Sequence, residues 1–247
     1  MRTMYDRKTK MYHRPGDRLI LEEVPGVYGN VPVEPDDVVL DLGGHIGTAT
    51  RLFLDKGAKH VVVVEADPTN IPYLRRNLAR RAVTIIPAAV GAKAGRTPFY
   101  IRSDRGYVGS VIADRERQRI EVPMVSFAGL LKQYRPSIVK ADIEFAEYGL
   151  PELRKLPNHV RVLTMEVHIR FVGIFTGRKM DSAELTQRRE AAQDLITAIQ
   201  AQGFRQHWRK DKQVTPKQEA GGQGPAEPDE TGLGPMTKCV CATWVRD

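Results

Sequence analysis

Residues 38–47 read VVLDLGGHIG, and the chain continues as TATRLFLDKG through residue 57. An aliphatic run carrying a single acid, Asp41, is followed at once by Gly43, Gly44 and then Gly47. That order is a buried strand, a tight glycine turn and a helix start, the arrangement a nucleotide-type pocket needs. Glycine at such a turn opens backbone angles closed to other residues and lets a ligand approach the main chain without meeting a Cβ.

The spacing narrows the ligand. A dinucleotide fingerprint is G-x-G-x-x-G, whose turn and helix start cradle a pyrophosphate, whereas this stretch is D-x-G-G-x-x-G. A carboxylate at the strand end repels phosphate and suits a ligand with ammonium and hydroxyl groups. S-adenosylmethionine is such a ligand: an amino acid, a sulfonium and a ribose, with no phosphate. Further along, HVVVVEADP (residues 60–68) reads as a strand buried on both faces and ends in Glu65. Glu65 lies 22 positions beyond Gly43, close to the roughly 20 at which an acid reaches ribose hydroxyls. Asp67, just before Pro68, reads as a helix cap as well as a neighbour of the pocket. VTIIPAAVG (residues 83–91) reads as a third strand, and its small Ala88 and Ala89 leave room for a flat adenine ring.

A second cluster lies in SIVKADIEFAEYGLPEL (residues 137–153), read as a strand and helix. Lys140, Asp142 and, if the strand persists, Glu144 share one side, and three charged groups beside a buried strand need a reason. If the first strand of a doubly wound sheet neighbours the fourth, their carboxyl ends bound the switch-point crevice where ligands sit. The fifth strand, VRVLTMEVHIR (residues 160–170), brings His168 to the same rim, with Glu166 on its face.

Outside these segments the sequence sets the frame. A chain of 247 residues, 41% hydrophobic and 28% charged, suits one α/β domain spanning residues 1–247. No apolar run approaches the roughly 18 residues of a membrane span, and no apolar segment follows the basic N-terminus, so the expected location is cytoplasmic. Residues 1–36 form a basic lead-in, in which LILEEV (residues 19–24) reads as a strand before the turn-rich PGVYGNVPVEP. Residues 97–125 read as an antiparallel insertion, residues 181–202 as a long helix, and residues 212–235 as a flexible Gly- and Pro-rich loop between the last two strands. Cys239 and Cys241 share one face of the final strand and are poorly placed to bridge each other.

Taken in order, VVLDLGGHIG, VVVVEADP, IIPAAVG, IVKADIEFAE and LTMEVH resemble the FkbM family of S-adenosylmethionine-dependent methyltransferases, over residues 38–168. The family pattern has Ala-Asn where this chain has Gly44-His45, and Gly where it has Phe145. The resemblance implies a class I methyltransferase, Rossmann-like α/β sheet of seven strands in the order 3-2-1-4-5-7-6. Strand 7 is antiparallel in that sheet, and helices cover both faces. Carried over by position, Asp41, Gly43, Gly47 and Glu65 hold the cofactor, and Asp142 and Glu144 lie beside the reacting centre. Gly44, His45, Ala66, Asp67, Ala88, Ala89 and Asp142 complete the expected S-adenosylmethionine pocket.

The activity this implies is O-methylation of a sugar or other small-molecule hydroxyl, with Asp142 or Glu144 as the base and His168 as the alternative. No resident metal is expected, although the clustered carboxylates and histidine could bind Mg²⁺ instead. The net charge of +8 gathers in Arg2, Arg7, Lys8, Lys10, Arg14 and Arg18, and in Arg75, Arg76, Arg80 and Arg81. This motivates a nucleic-acid methyltransferase as an alternative reading. Against it, KADIEF lacks the Asn/Asp-Pro-Pro-aromatic pattern of base amino methylation. A non-catalytic Rossmann-like binding protein is the third reading.

Overall fold

The computed structural model describes residues 3–101, 118–169, 181–213 and 237–246. Its centre is a sheet built from the runs that read as buried strands. These are β3 (Val38–Leu42), β4 (His60–Glu65), β5 (Val83–Pro87), β9 (Ile138–Ala141), β10 (Val162–His168), β11 (Arg205–Gln213) and β12 (Thr237–Val245). Across the sheet the order is β11-β12-β10-β9-β3-β4-β5, with β12 antiparallel to both neighbours and the pairs from β10 to β5 parallel. In strand ordinals this is 3-2-1-4-5-7-6, as the resemblance implied.

Alternation along each strand sorts the side chains between two layers. Leu40, Leu42, Val62, Val64, Leu163, Met165 and Val167 face α4 (Phe127–Tyr134) and α5 (Ser182–Gln200) in one core. Val39, Val61, Ile138 and Val162 face α1 (Arg18–Tyr28) and α2 (Thr48–Asp55) in the other, and Val63 packs on α3 (Ile71–Asn77). Asp41, Lys140, Glu166 and His168 fall in register with the second set, so the charged side of the sheet is the side α1 covers.

Three elements differ from the sequence reading. LILEEV belongs to helix α1, not to a strand. Leu21, Val24, Val27 and Tyr28 recur at helical spacing and are all buried. Pro25 inside the helix costs about 3 kcal/mol, but burying four such side chains at roughly 1.5–3 kcal/mol each outweighs it. VTIIPAAVG splits in two: β5 ends at Pro87, and β6 (Ala89–Gly91) joins a small sheet with β8 (Gln118–Ser126) and β7 (Gly95–Ile101), where β7 and β8 are antiparallel. After β9 the chain makes two 3-10 turns, Ala146–Gly149 and Pro151–Arg154, where an α-helix was expected. Pro151 limits how far the first can propagate. The lead-in also carries a short hairpin of β1 (Met4–Asp6) and β2 (Met11–His13). The expected tip of the insertion and most of the 212–235 loop lie outside the described residues.

Candidate active site

A cavity of about 540 Å³ opens at the carboxyl ends of β3, β4, β9 and β10, beneath α1. Its volume is ordinary for a small-molecule site, and its position is the switch point between β3 and β9. Of the residues expected at a site, Gly43, Gly44, His45, Glu65, Ala66, Ala88, Ala89, Asp142, Glu144 and His168 all line it. Asp41, Gly47 and Asp67 do not.

The β3 turn is shaped first by packing. A Cβ on Gly43 would lie 1.9 Å from the Asp142 carbonyl oxygen, and one on Gly44 would lie 2.0 Å from Val63 Cγ2. Gly43 and Gly47 also have φ of +81° and +93°, and a Cβ on Gly47 would press on Leu74 and Leu78. Gly47 therefore closes the turn onto α3 and does not line the cavity. Between them His45 also takes a left-handed conformation, φ +50°, one that Asn and His adopt more readily than most residues. This accounts for a histidine where the family pattern has asparagine. The His45 backbone N–H donates to Glu65 Oε2 at 2.6 Å.

Glu65 joins two walls of the cavity. Its Oε1 accepts from the Asp67 N–H at 2.7 Å and from Asn70 Nδ2 at 3.2 Å. Burial pushes its carboxyl up, against the pull of His45 and these donors. Asp67 is buried, and its Oδ1 accepts from the Thr69 N–H at 2.8 Å, so it shapes the turn into α3.

Asp41 has an internal task. The β3–β9 register sets it opposite Lys140. Lys140 Nζ lies 3.0 Å from Asp41 Oδ1, and Thr50 Oγ1 donates to Asp41 Oδ2 at 2.6 Å. The same ammonium donates to the Gly43 carbonyl at 2.6 Å, pinning the turn to the neighbouring strand. Burial opposes the Lys140 charge, but Asp41 and Asp142 hold its pKa above the usual value. The carboxylate expected to meet the ligand is thus used to seat Lys140.

The acceptor side of the cavity is built by Asp142, Glu144, Glu147 and His168. Glu144 and Phe145 both have left-handed backbones, φ +50° and +75°, a form that costs of order 1–3 kcal/mol per residue and gathers at functional sites. Here it turns Glu144 into the cavity. Glu147 is buried and its Oε1 accepts from the His168 N–H at 2.7 Å, with His168 Nδ1 3.1 Å away. That contact fixes the imidazole and leaves Nε2 facing Glu144 Oε2 at 3.7 Å and Glu166 Oε2 at 3.9 Å. Burial works against charge on His168, yet Glu144 and Glu147 outweigh it and hold the pKa well above the usual histidine range. Burial likewise works against the Asp142 charge, but Lys140, His168 and Lys212 keep that carboxyl below its ordinary value.

The lead-in closes the far wall. Tyr28 on α1 donates its hydroxyl to Asp142 Oδ2 at 3.2 Å, and Lys212 Nζ ties Glu23 of α1, at 2.6 Å, to both Glu166 oxygens, at 2.7 and 2.9 Å. Arg14, counted among the basic residues of the lead-in, is buried and bonds Asp17 at 2.9 Å and Thr69 at 3.1 Å. Tyr28 and Lys212 were not anticipated as site residues, whereas Lys140, Glu147 and Glu166 were read only as members of the charged clusters at the strand ends, without a role. Alternation and parallel register would have found the Lys140–Asp41 pair, whereas nothing local to residues 19–28 marks Tyr28 as a partner for Asp142.

A seven-stranded sheet of this order, with a cavity at its switch point bounded by a glycine turn and a strand-two acid, defines a class I methyltransferase fold. Among solved structures, a protein described as a putative S-adenosylmethionine-dependent methyltransferase from Listeria monocytogenes is similar at a TM-score of 0.50, with 10% identity over 94% of this chain and 98% of that one. One from Mesorhizobium loti gives 0.48, with 10% identity over 92% of this chain and 100% of that one. No curated protein matches the sequence. Residues 41–205 match the family model described as the methyltransferase FkbM domain. The chain belongs to the FkbM methyltransferase family. Among the described residues no helix is long and apolar enough to cross a membrane.

Proposed function

We propose that this methyltransferase moves the methyl group of S-adenosylmethionine to a hydroxyl oxygen of a sugar or other small-molecule acceptor. One observation carries the reading: the cavity joins Glu65 and the glycine turn at one end to Asp142, Glu144 and His168 at the other. In this reading Glu65 accepts the ribose hydroxyls, Ala66, Ala88 and Ala89 leave space for the adenine, and the Gly43–Gly44 backbone meets the methionine end.

Methyl transfer is an in-line displacement, so holding the acceptor oxygen against the methyl carbon can supply roughly 7–11 kcal/mol of the barrier. The acceptor must also lose its proton. Glu144 is the base in this account, because the strained backbone turns it into the cavity beside His168, while Asp142 is engaged by Tyr28. His168, fixed by Glu147, orients Glu144 and the acceptor. The burial of Lys140 and Glu166 around this wall, with the half-buried Lys212 over Glu166, limits water and strengthens these electrostatic contacts.

Incubation with methyl-labelled S-adenosylmethionine and fractionated cell extract tests the reading, with the labelled product identified by mass. Label on a carbohydrate or small-molecule oxygen, abolished by Glu144→Gln while the cofactor still binds, is expected. Label on nucleic acid, or undiminished turnover by the variant, overturns it.

A further inference from the structure

The acceptor wall carries more ligating groups than one proton transfer needs. One ligand atom each from Asp142, Glu144 and His168 lie within 4.8 Å of one another. Two donors on one ion with bonds of about 2.1 Å stand at most about 4.2 Å apart, so a small side-chain rotation closes the set. The histidine supplies the second observation. Its side chain is 4% exposed, it lines the cavity, and its Nε2 makes no hydrogen bond among the described residues. Its other nitrogen is held against Glu147. A buried imidazole oriented by a carboxylate, with its other nitrogen on the cavity within ion-pair distance of Glu144 and Glu166, is the arrangement metal-ligating histidines take.

A neighbouring trio, Glu166, His168 and Cys239, is equally compact but already spoken for. Lys212 bonds both Glu166 oxygens, and the Cys239 thiol donates to Glu166 at 3.4 Å. No ammonium is bonded to Asp142 in the same way; Tyr28 is its hydrogen-bond donor.

We propose that Asp142, Glu144 and His168 bind a divalent cation at the acceptor end of the cavity, and that the ion takes two adjacent oxygens of the acceptor. Two carboxylates with one imidazole suit Mn²⁺ or a similar ion and leave positions open for substrate. The inference rests on the methyltransferase reading and deepens it: the acceptor class becomes a vicinal diol or an equivalent oxygen pair. Coordination lowers the acceptor's pKa, its proton leaves to Glu144 or solvent, and the oxygen lone pair forms the O–CH₃ bond. The S–CH₃ bond breaks as this forms, and its electron pair returns to sulfur to give the thioether.

The test uses the full chain, stripped with chelator, and MnCl₂ as the probe. Free Mn²⁺ is followed by electron paramagnetic resonance, and thermal unfolding is recorded with and without the ion. The expected result is saturable uptake, a higher melting temperature with Mn²⁺ in the wild type, and loss of both effects in Asp142→Asn and His168→Ala. Cys239→Ala, which removes the competing trio, should keep both. No uptake by folded wild-type protein overturns the proposal. So does uptake that survives both site variants as folded proteins, or that disappears in Cys239→Ala. If a site variant does not fold, Glu144→Gln serves in its place. S-adenosylmethionine binding, measured on the stripped protein, separates the two claims: its absence refutes the methyltransferase reading, whereas its presence without Mn²⁺ uptake refutes only the metal site.

Discussion

Lys140→Met cuts the tie that seats the glycine turn. The wild-type ammonium is 1% exposed and sits 3.0 Å from Asp41 and 2.6 Å from the Gly43 carbonyl. Removing it leaves the Asp41 carboxylate, itself fully buried, with Thr50 as its one remaining hydrogen-bond donor among the described residues. Breaking a buried pair from one side costs roughly 3–5 kcal/mol. At about 2–4 °C per kcal/mol for a chain of this size, the melting temperature should fall by roughly 6–20 °C. Replacing both ends with apolar residues, Lys140→Met with Asp41→Leu, should recover most of that loss, because the uncompensated charge is gone. Urea or thermal unfolding of the two singles and the double gives the coupling directly. Calorimetry on Asp41→Asn adds the functional side: the folded variant should bind S-adenosylmethionine within a few-fold of wild type. A single Lys140→Met variant as stable as wild type would refute the pairing. An Asp41→Asn protein that folds normally but no longer binds cofactor would restore Asp41 as a ligand.

Other consequences follow from the same geometry. Glu65 must be ionised to accept ribose hydroxyls, and burial places its pKa above the ordinary 4.5. Cofactor affinity should therefore be full above that raised value and fall as pH drops through it, at a higher pH than a free glutamate would give. Asp142, held below its ordinary value, stays ionised through that window, so Glu65→Gln should flatten the profile in titrations at stepped pH. Phe145→Gly removes the left-handed strain, about 1–2 kcal/mol, but adds the unfolded-state cost of glycine and loses the ring packed 5.1 Å from His168. The terms nearly cancel, so the melting temperature should move little while turnover falls. Tyr28→Phe deletes the hydroxyl bonded to Asp142. It should cost roughly 1.5–3 kcal/mol in urea unfolding, the range for a bond to an ionised carboxylate, and a loss above about 4 kcal/mol would mean Tyr28 does more than this bond.

The sheet was legible because its strands are continuous apolar runs whose two faces both need cover, and VVLDLGGHIG and HVVVVEADP each end where the chain must turn. Glu65, Ala88, Ala89, Asp142, Glu144 and His168 were legible because strand ends in such a sheet converge on one rim. The misassigned pieces share a cause: a partner distant in sequence. Pro25 and Gly26 read locally as breakers, and only burial of Val24, Val27 and Tyr28 against α2 and the sheet, and of Leu21 against Met11 and Ile46, makes the segment helical. At Asp41 too the local pattern misses a distant partner: register sets Lys140 beside it. Arg14 reads as part of an exposed basic arm until Asp17, Thr69 and Asn70 close around it.

The central claim is that the cavity bounded by the β3 turn and Glu65 is an S-adenosylmethionine site, and isothermal titration of S-adenosylmethionine into wild-type and Glu65→Gln protein tests it most directly. The account predicts saturable binding to wild type and an affinity at least about tenfold weaker, roughly 1.4 kcal/mol, in a variant that melts as wild type does. Absence of binding to the folded wild-type protein, or equal affinity in the two, would contradict it.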